Sequence, residues 1–179
     1  PRRSETRIGP LGTVLLACGS LNPASLGQVR YAVRQMGYQL VSPDGAPAAP
    51  GPAVIPAGRR LVLRSSRAES LEDVGRVLEG ISREQVEAEA RRTAQAMGER
   101  IGEIMSCTDV GTLIVFGGDT LAAAVRRLGI QMLEPLSELA PGVVLCRTFA
   151  DGKALNLVTK AGAFGGAELV ETIERAWDH

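Results

Sequence analysis

Three short stretches of this sequence place glycines beside groups able to bind an anion or a cation. They are Gly19-Ser20, Gly117-Gly118-Asp119-Thr120 and Lys160-Ala161-Gly162-Ala163-Phe164-Gly165. Each follows a short apolar run and precedes a segment with helical character. Glycine lets the backbone approach a ligand closely. The N–H groups at the start of a helix, with its positive dipole end, favour phosphate oxygens. In the middle stretch an acid and a hydroxyl accompany the glycines, and Asp119 is a candidate helix cap as well as a candidate ligand. One glycine turn is commonly only a turn. Three on one edge of a sheet would form an anion or nucleotide site, because open α/β sheets bind ligands beyond the carboxyl ends of their strands. No Gly-x-x-x-x-Gly-Lys-Ser/Thr segment and no Gly-x-Gly-x-x-Gly segment is present, so neither a P-loop nor the usual dinucleotide fingerprint is expected.

Other chemistries find little support. The sole histidine is His179, and Cys18, Cys107 and Cys146 are far apart, so no serine–histidine or cysteine–histidine pair and no zinc spacing emerges. Basic and acidic residues balance at 20 each, which gives no general pull toward nucleic acid or anionic membrane. Aromatics make up 3% of the chain, too few for base-stacking platforms. Only two of the 20 basic residues are lysines, which singles out Lys160.

The elements that would position these turns follow an alternating pattern. Apolar runs at Thr13–Ala17, Tyr38–Val41, Arg60–Arg64, Thr112–Phe116, Ile130–Leu133, Val143–Thr148 and Ala154–Thr159 read as strands. Helices are expected over Ala24–Met36, behind Asn22 and Pro23, and over Arg83–Met105, Leu121–Leu128 and Glu168–Trp177. A short helix is a further reading of residues 69–80, and the Pro-rich residues 43–58 read as a surface loop. The stripe Val86, Ala90, Ala94, Met97, Ile101 and Ile104 would pack on this chain's own sheet or on another copy, which leaves a homodimer open. Asp151-Gly152 signals a tight hairpin. The expected fold is therefore α/β: three layers, a mostly parallel sheet flanked by helices, and an antiparallel hairpin near the C-terminus. Arg2, Arg3 and Arg7 ahead of Leu11–Ala17 imitate a secretory signal. That run barely meets the roughly 7-residue minimum and contains Gly12, so it reads as a buried strand. No run approaches the roughly 20 apolar residues of a membrane span, and a cytoplasmic location is expected.

In their order and spacing the motifs resemble those of the C-terminal domain of the four-carbon acid sugar kinase family, which includes D-threonate and 3-oxo-tetronate kinases. The matching residues are Gly19-Ser20 with Ser25 and Gln28, then Gly117 to Thr120, then Pro141-Gly142-Val143, then Lys160 to Gly165. The resemblance runs from about Leu11 to the end, so residues 11–179 are expected to form one nucleotide-binding domain. Residues 1–10 would be a tail or a truncated linker. The family pattern in the last motif is Lys-Ser-Gly-Asn-Phe-Gly, from which Ala161 and Ala163 depart.

The resemblance implies an ATP site lined by Ser20, Gly117, Gly118, Asp119, Thr120, Lys160, Gly162, Phe164 and Gly165. Asp119 would hold Mg²⁺, and Lys160 would neutralise phosphate charge or be an ordinary surface lysine at a strand end. Phe164 would pack against adenine or plug the loop. Family members bind the sugar acid with an N-terminal domain bearing an Asp-Asp-x-Thr-Gly type motif, and this sequence has no adjacent aspartates. The expectation is a kinase domain whose substrate domain lies elsewhere. The alternatives are a non-catalytic nucleotide- or phosphate-binding module, or an interaction or effector protein that reuses the fold.

Overall fold

The computed structural model describes residues 11–41, 58–65, 80 and 82–177. The expected tail at 1–10, most of the loop at 43–58, most of the short helix at 69–80, and His179 lie outside them. The described elements are β1 (Thr13–Cys18), α1 (Pro23–Gln35), β2 (Gln39–Leu40), β3 (Arg60–Arg64), α2 (Arg83–Cys107), β4 (Val110–Phe116), α3 (Gly118–Arg127), β5 (Glu134–Ala140), β6 (Val143–Ala150), β7 (Lys153–Lys160) and α4 (Leu169–Arg175). They build one seven-stranded sheet in the order β2-β3-β1-β4-β7-β6-β5. The first five strands in that order run parallel, and β6 and β5 are antiparallel additions.

Strand β1 is buried along its whole length, and its alternation divides two cores. Val14, Leu16 and Cys18 face α1 and α4, where Val29, Ala32, Leu169, Val170 and Ile173 close over them. Leu15 and Ala17 face α2 and α3, against Met97, Ile101, Ile104 and Ala124. Burial on both faces explains why a parallel strand reads as a continuous apolar run.

Helix α2 starts with a capping box: the Gln85 N–H donates to Ser82 Oγ (3.3 Å) and the Ser82 N–H to Gln85 Oε1 (2.9 Å). Its C-terminal half carries the stripe into this chain's own core. There Gly98 permits a close crossing with α3, since a Cβ on it would lie 2.9 Å from the Ala123 backbone. The N-terminal half, with Val86 and Ala90, is not buried.

One expected strand is corrected. Gly129 (φ +62°) ends α3, and residues 130–133 run on without a ladder. The strand is Glu134–Ala140. Its proline, serine and two acids leave no apolar run of the kind that marks the other strands. As the outermost strand it packs only Leu136, Leu139 and Ala140 against the core, and Pro135 is tolerated at an edge. The β6–β7 hairpin turns as expected, with Asp151 at φ +49° and Gly152 at φ +76°.

Candidate functional site

The sheet order sets β4 between β1 and β7, and the register pairs Cys18 with Phe116 and Phe116 with Lys160. The three glycine turns therefore leave the sheet side by side on one edge. The first two are in contact. Gly19 donates its N–H to the Phe116 carbonyl (3.2 Å), and a Cβ on Gly19 would fall 1.8 Å from Thr120 Oγ1. Thr120 itself is buried. Ser20 Oγ accepts the Asn22 N–H (3.1 Å), and Asn22 Oδ1 accepts the Ala24 N–H (2.9 Å), which turns the chain into α1.

Gly117 has φ +108° and is the residue that caps α3, without a side-chain bond. Asp119 thus stands exposed in the first turn and is not the cap. The Leu121 N–H is bonded to the Gly117 carbonyl (3.0 Å), so the N–H groups of Gly118, Asp119 and Thr120 have no intrahelical acceptor. Apart from its chain neighbours and the backbone of its own helix, no atom lies within 4 Å of where a Gly118 Cβ would be. These turns line one side of a cleft of about 460 Å³, and Val86, Ala90, Thr93 and Ala94 of α2 line another. A second groove, of about 670 Å³, runs between α2 and α3 and also borders Asp119 and Ala94.

The third turn is built differently. Residues 161–168 are exposed, and buried side chains hold them from below. Gln28 Nε2 donates to the carbonyls of Phe164 (2.9 Å), Gly165 (3.0 Å) and Gly166 (3.1 Å). Lys160 Nζ donates to the Gly162 carbonyl (2.8 Å) and to Ser25 Oγ (3.0 Å), and sits 4.9 Å from the centroid of the Phe116 ring. Lys160 is 3% exposed, so it is not a surface lysine. Burial lowers its pKa, and the neighbouring Cys18 works weakly the other way. Burial pushes the Cys18 thiol up to about 11, and the thiol donates to the Ser20 carbonyl (3.5 Å). Phe164 is 51% exposed and lies over Gly142, where a Cβ would meet its Cδ2 at 2.7 Å.

Ser20 and Gly117 to Thr120 therefore share one cleft, which Lys160, Gly162, Phe164 and Gly165 do not line. Spacing did not reveal that the first half of α2 walls the cleft. Nor did it reveal that Gln28, matched only by resemblance, grips the third turn, or that Ser25 receives the Lys160 ammonium that holds the Gly162 carbonyl. Among the described residues no group of three or more His, Cys, Asp or Glu could hold a metal. A divalent cation at Asp119 would draw its other ligands from phosphate and water, an ordinary arrangement for Mg²⁺. No helix among the described residues is long and apolar enough to cross a membrane.

Among known proteins, the family model for a nucleotide-binding C-terminal domain matches residues 15–170. D-threonate kinase from Salmonella typhimurium is 29% identical over 170 residues, covering 85% of this chain and 39% of that enzyme. A 3-oxo-tetronate kinase from Cupriavidus necator is 28% identical over 181 residues, covering 96% of this chain and 40% of that enzyme. The chain thus spans about two fifths of the length of these relatives. A domain of unknown function from Bordetella bronchiseptica, crystallised with citrate as a domain-swapped dimer, superposes with TM-score 0.67 at 21% identity, covering 93% of this chain and 41% of that one. A Haemophilus influenzae protein superposes with TM-score 0.61 at 16% identity, covering 92% and 40% of the two chains. These likenesses show the same fold.

Proposed function

The chain belongs to the family of nucleotide-binding C-terminal domains carried by the four-carbon acid sugar kinases, and from that premise we propose that it holds Mg²⁺-ATP for a kinase that phosphorylates a four-carbon sugar acid. The observation that carries this reading is the junction of the first two turns. A Cβ on Gly19 would run into Thr120 across adjacent strand ends, and Gly118, in the first turn of α3 where the N–H groups are free, has no other element packed against it.

Phosphoryl transfer asks the protein mainly for positioning and charge neutralisation. In this reading the N–H groups of Gly118, Asp119 and Thr120 take phosphate oxygens, aided by the helix dipole. Ser20, half-buried at the same cleft, orients them from the other side. Asp119 holds Mg²⁺, which neutralises charge on the transferring phosphate. Gly162 and Gly165 add N–H groups from the third turn, and exposed Phe164 offers a face for adenine. Buried Lys160 supports that loop from below. The sugar acid and the general base belong to a part of the kinase outside these residues, and the proposed location is the cytoplasm, where ATP is available.

Ala161 and Ala163 favour a second reading, a nucleotide-binding module without catalysis. Both positions lack the side-chain hydrogen-bonding groups of the family pattern. Calorimetric titration with ADP and ATP, each with Mg²⁺, tests what the two readings share. Saturable binding near one per chain is expected, and binding should be lost in Gly118→Val with the fold intact, since that side chain enters open space. No binding at millimolar nucleotide, or unchanged binding in the variant, would refute the site.

A further inference from the structure

We propose that Gln28 and Lys160 are positioning residues that shape the backbone of residues 163–167 into a receptor for a diphosphate group. The inference deepens the nucleotide reading and rests on it for the identity of the ligand. Its physical basis is the peptide bond. The chain contains no cis peptide among the described residues, and in a trans peptide the N–H points opposite to the carbonyl of the preceding residue. Gln28 draws the carbonyls of Phe164, Gly165 and Gly166 inward, and Lys160 draws in that of Gly162. The N–H groups in the same four peptide planes, those of Gly165, Gly166, Ala167 and Ala163, must then face outward.

The surroundings agree. Residues 161–168 are exposed, and none of those four N–H groups donates to another backbone group among the described residues. Gly162 (φ +57°) and Gly165 (φ +86°) take the left-handed conformation that curls successive N–H groups into an anion-binding concavity. The Glu168 carboxylate lies beside Gly166, but it is exposed and can swing into solvent.

Packing alone does not explain Gln28. It is fully buried, and its Oε1 has no partner. An orphaned buried acceptor costs free energy that leucine or methionine would avoid. The three carbonyls fix which end of the amide faces them, since only Nε2 can donate. The residue is thus committed to donation toward one loop. Lys160 is committed likewise, so its charge reaches a ligand only through the loop it holds.

The test is ¹H–¹⁵N amide titration of the chain with inorganic pyrophosphate, and separately with ADP, in the wild type and in Gln28→Met. In the wild type, pyrophosphate should shift the amides of Ala163, Gly165, Gly166 and Ala167. In Gln28→Met those shifts should vanish, or need at least tenfold more ligand, while the amides of Gly118, Asp119 and Thr120 still respond. Should Gln28→Met not fold, Gln28→Asn, which keeps the amide but falls short of the loop, should give the same selective loss. The proposal is overturned if pyrophosphate leaves the wild-type loop unmoved, if the variant responds like the wild type, or if a folded variant loses the α3 response as well. The ADP arm judges the nucleotide reading separately. Loop shifts with pyrophosphate but none anywhere with ADP would sustain the receptor and sink the nucleotide.

Discussion

The turn between β4 and α3 and the turn between β7 and α4 leave one sheet edge as neighbours, yet they are made by opposite means. The first is written in its own four residues. Gly117 takes a φ of +108°, the helix begins at once, and helical geometry alone lines up three free N–H groups. The second has eight exposed residues ahead of its helix. Its shape comes from Gln28, Ser25 and Lys160, and the Gln28 contacts cross 136 to 138 residues of sequence. Its helix, α4, is itself tied down by Glu174, which accepts three bonds from two nitrogens of Arg60 and one from Tyr38. A helix N-terminus makes an anion site locally, whereas a loop needs side chains from other elements to do the same.

The sharpest way to break the local turn is Gly19→Ala. The new Cβ would fall 1.8 Å from Thr120 Oγ1, in a buried spot where Thr120 has little room to move. Overpacking of this kind costs about 1–3 kcal/mol. Chemical denaturation should show a loss at the top of that range. The double variant Gly19→Ala/Thr120→Ala should recover most of it, as a coupled pair must. Additive losses would mean that the two turns do not depend on each other.

That contrast also separates what the sequence displayed from what it hid. The strands β1, β3 and β4 were legible because burial on two faces leaves short apolar runs, and β6 and β7 because the Asp151-Gly152 turn between two apolar-rich segments marks a hairpin. The Gly117 to Thr120 turn was legible because its chemistry is contiguous. Strand β5 was not, because an edge strand needs few apolar residues. Gln28 drew notice only through resemblance, since one glutamine in an amphipathic helix carries no periodic signal for contacts so far along the chain. The N-terminal half of α2 looked like core because its stripe continues unbroken from the buried half. Nothing in periodicity marks where a helix runs past the sheet and begins to wall a cleft.

Alkaline pH should act on the foundation of the third turn. Cys18 ends β1, two strands away, on the α1 face of the sheet and within electrostatic reach of Lys160, with its thiol pushed up to about 11 from an ordinary 9.0. The folded state therefore favours the neutral thiol. That stabilisation is complete below about pH 9 and is lost as pH rises through about 11, a total of roughly 2–3 kcal/mol. Lys160 has a lowered pKa and so contributes in the opposite sense, with stability rising toward its ordinary 10.5. Comparison with Cys18→Ala isolates the thiol. In urea unfolding the wild type should lose stability relative to that variant between pH 8 and 11, and a constant difference would place the thiol outside the buried environment described.

Glu174→Gln should weaken the anchoring of α4 without touching the β4–α3 turn. It keeps the side-chain volume and removes the charge that receives Arg60 Nε (2.8 Å), Arg60 Nη2 (2.6 Å) and the Tyr38 hydroxyl (2.6 Å). Hydrogen bonds to charged groups contribute about 1.5–3 kcal/mol. Because Arg60 is partly exposed, a loss near 1 kcal/mol is expected after screening. The melting temperature should fall, while pyrophosphate shifts at Gly118 to Thr120 stay as they were. A change at those amides would show that the two turns are mechanically coupled through the sheet.

The smallest effect, and the one most specific to the loop, belongs to Ala163→Asn. Position 163 is exposed, so asparagine enters without repacking and stability should hold within about 0.5 kcal/mol. Its amide would add one hydrogen-bonding group next to outward-facing N–H groups. A single neutral hydrogen bond contributes about 0.5–1.5 kcal/mol, so ADP affinity should rise by roughly two- to tenfold in calorimetry. A gain lost again in Ala163→Asn/Gln28→Met would show that the added side chain works only on a loop already held in shape. A gain that survives the loss of Gln28 would mean the loop finds its shape when the ligand arrives, and the difference between the two turns would then be one of timing rather than of construction.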